Sequence, residues 1–193
     1  MATKKTLDIT HPHLAKEWHP TKNGDLTPKM FTRGSREKVY WRCFKEDDHI
    51  YISPIRNRAI SNSNCSCCRG FTVVKSNCLL TKYPKLASQW HPIKNGSLTP
   101  QKVYWGTSKK VWWRCNKGPD HEWENSPRLR IAQNQNCPFC ANKRVSITNS
   151  LKITYPNIAA QWHPTKNRNL LPKNVVFGSN KKVWWKCNKG PDH

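Results

Sequence analysis

The sequence repeats itself with a period of 72 residues, and this constrains the fold more than any other feature. Trp-His-Pro begins at Trp18, Trp90 and Trp162, and further tryptophan, cysteine and histidine positions keep the same interval without an insertion. A fixed period of this kind indicates small structural units, one per repeat, arranged along the chain. We therefore divide the sequence into three modules, at residues 7–78, 79–150 and 151–193.

Cysteine and histidine recur as Cys-x5-His, a gap of 15 residues, and Cys-x2-Cys. The two complete sets are Cys43, His49, Cys65 and Cys68, and Cys115, His121, Cys137 and Cys140. Zinc takes four tetrahedral ligands drawn from thiolate and imidazole, and a closed set leaves no position for a reacting water. We predict one structural zinc ion in each of these modules. A reduced cysteine cluster and disulfides are the alternatives, although nine cysteines suit full pairing poorly.

Two cysteines in the first module fall outside these sets. Cys67 lies between two assigned ligands, and its counterpart in the second module is Phe139, which cannot bind a metal. Cys78 corresponds to Ser150. The register therefore predicts that neither cysteine is a ligand.

The third module contains only half of a set, Cys187 and His193. In register, the other two ligands would lie beyond the last residue, and two ligands do not close a tetrahedral site. The third zinc site is therefore predicted to be incomplete, through truncation of a longer array or because another chain supplies the missing pair. We favour truncation, which leaves both residues metal-free while a helix at 156–162 and a strand at 181–187 still form.

Each module is predicted to contain a short helix, a loop, a β-hairpin and a segment that ends in the Cys-x2-Cys turn. In the second module the helix lies at 83–90, where a proline near its start suits the first turn. The strand at 109–115 places alternate side chains on one face, and the segment at 121–125 returns antiparallel to it. Cys-x5-His then forms the tip of the hairpin, and a short helix follows the Cys-x2-Cys turn.

The combined pattern Trp-His-Pro-x-Lys-Asn, Trp-x-Cys-x5-His and Cys-Pro-x-Cys resembles the tandem treble-clef zinc-finger family, a domain of unknown function in bacterial and large DNA virus proteins. In that family the domain occurs in consecutive copies, sometimes beside nuclease domains. The resemblance extends over essentially the whole chain. It implies a small α+β fold of repeated treble clefs, each with a zinc knuckle, a β-hairpin and a helix after the Cys-x2-Cys turn, held by the ligand sets given above. The first module departs from the pattern by having Ser66 where Pro138 stands, and by an acidic loop.

Basic residues outnumber acidic ones by 34 to 11, which gives a net charge of +23, and the excess is present in all three modules. Such a charge suits a polyanionic partner. The predicted nucleic-acid-binding residues are Lys38, Arg42, Arg56, Arg58, Lys109, Lys110, Arg114, Arg128, Arg130, Lys181, Lys182 and Lys186. On the hairpin they alternate with aromatic residues, which suits phosphate contact with base stacking. We predict nucleic-acid binding, with DNA favoured, and little sequence preference because no base-reading helix is evident.

Two other functions compete with this prediction. A scaffold or virion protein is one, because rigid modules with many tryptophans also suit protein interfaces. A nuclease is the other, with the repeated His19, His91 and His163 as candidates. The three histidines share no neighbouring carboxylate, since Glu17 is replaced by glutamine at both equivalent positions. We therefore predict that the protein is not an enzyme and takes no small-molecule substrate.

The sequence has no feature of a membrane or secreted protein. No apolar run approaches the ~20 residues that cross a bilayer, and the N-terminus has no apolar signal region. We predict an intracellular protein without a membrane partner, in the cytoplasm, nucleus or nucleoid, or a virion component. Cysteines in a reducing compartment suit metal binding better than disulfides.

Overall fold

Each repeat begins with two short helices, and the first two repeats continue into a β-hairpin, as the computed structural model shows for residues 5–187, 189 and 190. The strands are β1 (Lys38–Arg42), β2 (Ile50–Pro54), β3 (Val111–Arg114) and β4 (Glu122–Asn125). The α-helices are α1 (Leu7–Thr10), α2 (Pro12–Lys16), α3 (Ile55–Ala59), α4 (Leu79–Lys82), α5 (Pro84–Ala87), α6 (Pro127–Ala132), α7 (Leu151–Thr154) and α8 (Pro156–Ala159). Short 3-10 turns lie at Pro28–Met30, Lys75–Asn77, Pro100–Lys102 and Pro172–Asn174. The fold class is small α+β, as predicted.

A tight bend separates the two helices of each pair. The residue between them, which is His11, Tyr83 or Tyr155, has a φ of −138° or −139°, outside the helical region. A proline follows and begins the second helix, where a missing N–H leaves no hydrogen bond unmade. In the second repeat the backbone N–H of Leu79 donates to the carbonyl of Val103 at 2.8 Å, so that the pair is tied to the segment after the 3-10 turn.

The hairpins have one apolar and one polar face. Along β3, Val111 and Trp113 are buried, Trp112 is half-buried and Arg114 is exposed. Trp113 lies opposite Trp123 of β4 in the antiparallel register, and β1 pairs with β2 in the same way. The alternation predicted for the strand is therefore confirmed.

The predicted elements of the second and third repeats are shorter than their sequence patterns. The segments 83–90, 109–115, 121–125 and 156–162 correspond to α5, β3, β4 and α8 respectively. Trp90 and Trp162, expected at helix ends, instead form isolated β-bridges with Trp113 and Trp185. The helices end early because this bridge requires extended backbone at the tryptophan.

The helix near the Cys-x2-Cys turn precedes it instead of following it. In α6 the side chain of Ser126 accepts a hydrogen bond from the Leu129 N–H, and Pro127 occupies the first helical position. Such a Ser-Pro pair is a helix start signal. Across the Cys-x2-Cys turn the Ala141 N–H donates to the carbonyl of Cys137, and Asn142 has a φ of +53°. The described residues between this turn and α7 contain no helix, so the short helix predicted directly after the turn is reduced to the turn itself.

Residues 181–187 of the third repeat do not form the predicted strand. Within the described part of this repeat, the only backbone pairing of that segment in a β arrangement is the bridge between Trp162 and Trp185. In the other repeats the equivalent strand is held by a returning strand, β2 or β4. The counterpart of that returning strand would lie beyond residue 193, so no described residue pairs with the segment as β2 and β4 do in the other repeats.

The core of the first repeat is assembled from two halves of the repeat. One cluster of buried side chains contains Leu7, Leu14, Val39, Trp41, Tyr51, Ile55, Cys65 and Cys67. The first four of these residues precede Cys43 in the sequence, and the last four follow it. Trp41 and Ile55 are both fully buried, so each half covers the apolar face of the other.

Backbone contacts group the chain into two compact units. One comprises the described residues up to Ser88 together with Ser97–Thr107, and the other comprises Gln89–Gly96 together with the described residues from Ser108 onward. The module limits at 78 and 150 follow the sequence period and stay a prediction.

Over residues 5–187, 189 and 190, no helix has the length and apolar character needed to cross a bilayer.

Candidate metal centres

The first cluster is formed where the tip of the β1–β2 hairpin meets the Cys-x2-Cys turn. Cys43 and His49 flank the tip, and the backbone N–H of Cys43 donates to the His49 carbonyl at 3.0 Å. The Nδ1 atom of His49 lies 3.4 Å from Cys68 Sγ and 3.9 Å from Cys65 Sγ. The sulfurs of Cys43 and Cys68 are 3.7 Å apart. All four ligand atoms lie within 4.8 Å of one another.

The second cluster has nearly the same geometry. The Nδ1 atom of His121 lies 3.7 Å from Cys137 Sγ and 3.6 Å from Cys140 Sγ, and the sulfurs of Cys115 and Cys140 are 3.7 Å apart. A tetrahedral zinc with Zn–S bonds of ~2.3 Å separates its sulfurs by about 3.8 Å. The observed spacing therefore matches zinc, whereas a disulfide would hold two sulfurs at ~2.05 Å. Both predicted Cys3His zinc sites are confirmed.

Burial makes ionisation of two thiols in these clusters unfavourable as long as no cation is bound. Burial, together with neighbouring sulfurs, raises the pKa of Cys68 and of Cys140 to about 12. Zinc binds the thiolate, so its uptake releases protons and its affinity falls as the pH falls.

The second ring nitrogen of the histidine ligand distinguishes the two sites. In the second repeat His121 Nε2 lies 3.1 Å from Ser146 Oγ and 2.8 Å from Thr148 Oγ1. Such outer hydrogen bonds fix the tautomer and orientation of a metal-binding imidazole. In the first repeat Val74 replaces Ser146, and no hydrogen-bond partner of His49 Nε2 is present in the described part of the chain.

The two other cysteines of the first repeat lie outside the cluster, as predicted. Cys67 is fully buried, and its sulfur lies 3.9 Å from the carbonyl of Ile50. The sulfur of Cys78 lies 3.3 Å from the carbonyl oxygen of Lys75. Their role is core packing.

The third site is incomplete. Cys187 is half-buried, and its sulfur accepts a hydrogen bond from the Lys189 N–H at 3.4 Å. His193 lies outside the described residues. Within the described ranges, only the two clusters of the first and second repeats bring four metal-binding side chains together.

The profile of the probable treble clef zinc finger domain family matches the sequence three times, at residues 14–71, 86–143 and 158–193. These matches begin 72 residues apart and together cover most of the chain. The protein belongs to this family. Its tandem arrangement confirms the predicted repeat, and the third match ends with the sequence, before a Cys-x2-Cys turn. A comparison with curated proteins gives no match.

The repeated histidine and asparagine of this treble clef protein hold the loop that precedes the hairpin. In the second repeat the ring Nδ1 of His91 accepts the backbone N–H groups of Ile93 and Lys94, at 3.1 and 3.0 Å. Asn95 accepts the Trp112 N–H through Oδ1 at 2.8 Å and donates through Nδ2 to the Trp112 carbonyl at 2.9 Å. The same bonds recur around His19 and Asn23 and around His163 and Asn167. The histidines proposed as nuclease candidates thus serve to cap a loop.

Replacing Asn95 by alanine should destabilise the second repeat by about 1–3 kcal/mol, because two backbone groups of Trp112 lose their partner. The free energy of unfolding, measured by urea titration, tests this. Gln101→Ala, at an exposed polar position of the same repeat, is the control and should change stability little. Equal effects of the two substitutions would contradict the assigned role of Asn95.

Arg58 and Arg130, predicted to bind nucleic acid, are instead core residues. Their exposed fractions are only 7% and 3%. Arg130 donates through Nη2 to Gln89 Oε1 at 2.8 Å and lies 4.4 Å above the ring of Trp113. Burial lowers its pKa to about 10. Arg58 makes an ion pair with Glu17 in the first repeat. The prediction was wrong for these two residues because their guanidinium groups are already bonded inside the protein.

The remaining predicted basic residues are on the surface. Exposed side chains are found at Lys38, Arg42, Arg56, Lys109, Lys110, Arg114, Arg128, Lys181, Lys182 and Lys186. Sequence reasoning missed one further set of lysines. Lys22, Lys94 and Lys166 lie over the rings of Tyr40, Trp112 and Trp184, at 5.8, 4.3 and 4.7 Å from the centroid.

Proposed function

We propose that the protein binds nucleic acid, with DNA favoured, through the outer faces of its repeats and with little sequence preference. The observation that carries this proposal is a cation–aromatic–cation arrangement, which we call the basic stripe. In the second repeat it consists of Lys110, Trp112 and Arg114, and Lys94 adds a third positive charge above the Trp112 ring. Exposed cations beside an aromatic ring suit phosphate contact together with base stacking.

The stripe recurs at equivalent positions of the other repeats. Tyr40 lies between Lys38 and Arg42 in the first, and Trp184 lies between Lys182 and Lys186 in the third. Trp184 is 59% exposed, so its ring is available for stacking. Duplex DNA carries one charge per about 1.7 Å of its axis, so the stripe of a single repeat finds phosphates within reach whatever the base sequence.

The stripe is tested by replacing Lys110 and Arg114, together with the adjoining Lys109, by alanine. We expect weaker binding to random duplex and single-stranded DNA, and a salt dependence of log K that flattens by up to about 3 units, since each phosphate contact contributes about 0.9. Fluorescence anisotropy at several salt concentrations measures both quantities.

The control for this test removes the same charge elsewhere. Lys85, Lys102 and Lys152 are exposed residues outside the stripes, and their combined replacement should have a clearly smaller effect. If both triple variants weaken binding equally, affinity depends on net charge alone and the stripe is not the contact. If the stripe variant binds DNA as tightly as the native protein, the stripe is excluded.

A protein-interaction role is the second candidate, favoured by apolar side chains on the surface. Ile9, Phe71 and Ile93 are 65%, 73% and 78% exposed. Exposed apolar side chains on more than one repeat suit the protein contacts of a scaffold or of a virion component inside a cell. Absence of DNA binding at low salt would favour this function. In either case we propose a non-enzymatic role, because Nδ1 of each repeated histidine accepts two backbone N–H groups of its loop.

A further inference from the structure

The histidine ligand of the second repeat is held by a chain of hydrogen bonds that begins in its own Cys-x2-Cys turn. The side-chain amide of Asn149 donates to the carbonyl of Phe139 at 2.7 Å, so its oxygen is left as an acceptor. That oxygen accepts the backbone N–H of Ser146 at 2.6 Å and the Ser146 hydroxyl at 3.0 Å. Since the hydroxyl proton is used in this bond, the Ser146 oxygen faces His121 Nε2 as an acceptor, at 3.1 Å.

This direction of donation determines the tautomer of His121. A neutral imidazole carries one proton, so an Nε2–H that donates to Ser146 leaves the lone pair of Nδ1 for a metal. Nδ1 is the nitrogen that faces the two sulfurs of the Cys-x2-Cys turn. Thr148 adds a second hydroxyl 2.8 Å from Nε2, and the ring of Phe139 stacks on the imidazole with the centroids 5.0 Å apart. The imidazole is therefore oriented for zinc by the protein itself.

The first repeat has the same loop with a valine in place of the serine. Asn77, the counterpart of Asn149, accepts the Val74 N–H at 2.8 Å and donates to the Cys67 carbonyl at 2.7 Å. Val74 therefore takes the position of Ser146 in a loop that is built by the same bonds. Its side chain offers no acceptor to the histidine ligand.

The other hydroxyl of this loop is used elsewhere in the first repeat. Ser76 is the counterpart of Thr148, but its Oγ donates to Asp48 Oδ1 at 2.5 Å. His49 is only 4% exposed, and its Nε2 atom has no hydrogen-bond partner among the described residues. When Nδ1 binds a metal, Nε2 carries the ring proton. Zinc binding at the first site therefore leaves a buried N–H without an acceptor, which is costly.

The acidic loop of the first repeat acts in the opposite direction, but weakly. Glu46 and Asp47 are exposed, and Lys82 lies 3.4 Å from the Glu46 carboxylate. Attraction between exposed charges is screened over about 8 Å at physiological ionic strength, whereas a buried N–H without an acceptor keeps its cost in salt. The hydrogen bonds of the histidine therefore decide which site holds zinc more tightly.

We propose that Ser146 and Thr148 are positioning residues for the zinc ligand His121, and that the first repeat, in which His49 lacks such partners, releases its zinc first. An outer hydrogen bond to a metal-binding histidine typically changes metal affinity by about 10–100-fold. Zinc holds each hairpin to its Cys-x2-Cys turn, so a fall in available zinc opens the first repeat while the second stays folded.

Chelator competition on the native full chain, loaded with two equivalents of zinc, tests the order of release. At physiological ionic strength we expect two steps, separated by about 10–100-fold in free zinc concentration. Amide resonances of residues 39–54 should lose their dispersion in the first step, and those of residues 111–125 only in the second. Release of both ions in one step, or earlier loss from the second repeat, is incompatible with the proposal.

Exchanging side chains between the two loops tests the cause. Val74→Ser supplies the missing hydroxyl and should tighten the first site by about tenfold, whereas Val73→Ser, the same change one position earlier, should not. Ser146→Val combined with Thr148→Ala should weaken the second site by about 10–100-fold. Ile147→Ala, at a 60% exposed residue between these two positions, is the control and should leave zinc affinity unchanged.

The imidazole proton separates positioning of the ligand from a general loss of stability. In nitrogen–proton correlation spectra of the zinc-loaded chain, the Nε2 proton of His121 should exchange slowly with water. Ser146→Thr keeps the hydroxyl and should preserve both this resonance and the zinc affinity, and Val74→Ser should give His49 a similarly protected proton. Unchanged zinc affinity in Val74→Ser and in the double variant, or equal shifts in their controls, would overturn the proposal.

Discussion

Replacing Cys137 by serine should release one of the two zinc ions and unfold the second metal centre. The serine oxygen is a poor zinc ligand, and structural zinc contributes an apparent ~10–16 kcal/mol to the folding of small finger peptides, far more than any single side-chain contact in this chain. The hairpin of β3 and β4 is joined to the Cys-x2-Cys turn through this cluster, in which neighbouring ligand atoms lie 3.6–3.7 Å apart. Elemental analysis should give one zinc per chain, and amide resonances of residues 111–140 should lose their dispersion.

The first repeat contains the matched control. Cys67 lies between the two ligands of a Cys-x2-Cys turn and is fully buried, but it packs in the core outside the ligand set. Cys67→Ser should keep both zinc ions and reduce stability only modestly. Loss of zinc from the Cys67 variant, or two tightly bound zinc ions in the Cys137 variant, would show that the ligands are assigned incorrectly.

Two adjacent tryptophans should differ sharply in how much stability the protein loses when each is replaced by alanine. Trp113 is fully buried and makes an edge-to-face contact with Trp90, with the ring centroids 5.5 Å apart. Its Nε1 atom donates a hydrogen bond to the Asn125 carbonyl at 2.9 Å. Trp113→Ala should therefore cost about 3–5 kcal/mol. Trp112→Ala on the outer face should cost much less, since it loses chiefly the contact with Lys94, on the order of 1 kcal/mol.

Urea denaturation of both variants measures this difference, and DNA binding adds a second comparison. If the basic stripe contacts bases, Trp112→Ala weakens DNA binding while the folded Trp113→Ala protein binds with its stripe intact. Comparable destabilisation by the two substitutions would contradict the assignment of inner and outer faces.

The period of 72 residues was sufficient to identify the zinc ligands and the hairpins. Ligand spacing repeats in register, and an internal copy shows that Cys67 is replaceable by Phe139, so Cys65 and Cys68 could be assigned. The alternation of Val111 and Trp113 likewise determined which face of β3 is buried. These features depend on local sequence, which a repeat samples more than once.

The role of the buried arginines could not be read from the same pattern. Arginine is rarely buried, so Arg58 and Arg130 were assigned to the surface with their exposed neighbours. Their burial depends on Glu17 and Gln89, each 41 positions away, and on a helix whose Ser126-Pro127 start was overlooked. The Asn95 bonds also join segments 17 positions apart, and the signal that could have revealed them was the recurrence of this asparagine in a motif without a carboxylate.

The division of each core into two halves also bears on how the chain is synthesised. Trp41 leaves the ribosome before Ile55, and at roughly 5–20 residues per second the interval lasts on the order of one second. During that time the nascent first repeat exposes the apolar side chains of its first half that Tyr51 and Ile55 later cover. The first two repeats have similar second halves, yet only the first half of the first repeat has been synthesised when the Ile55 segment emerges. Vectorial translation therefore favours pairing within a repeat over exchange between repeats.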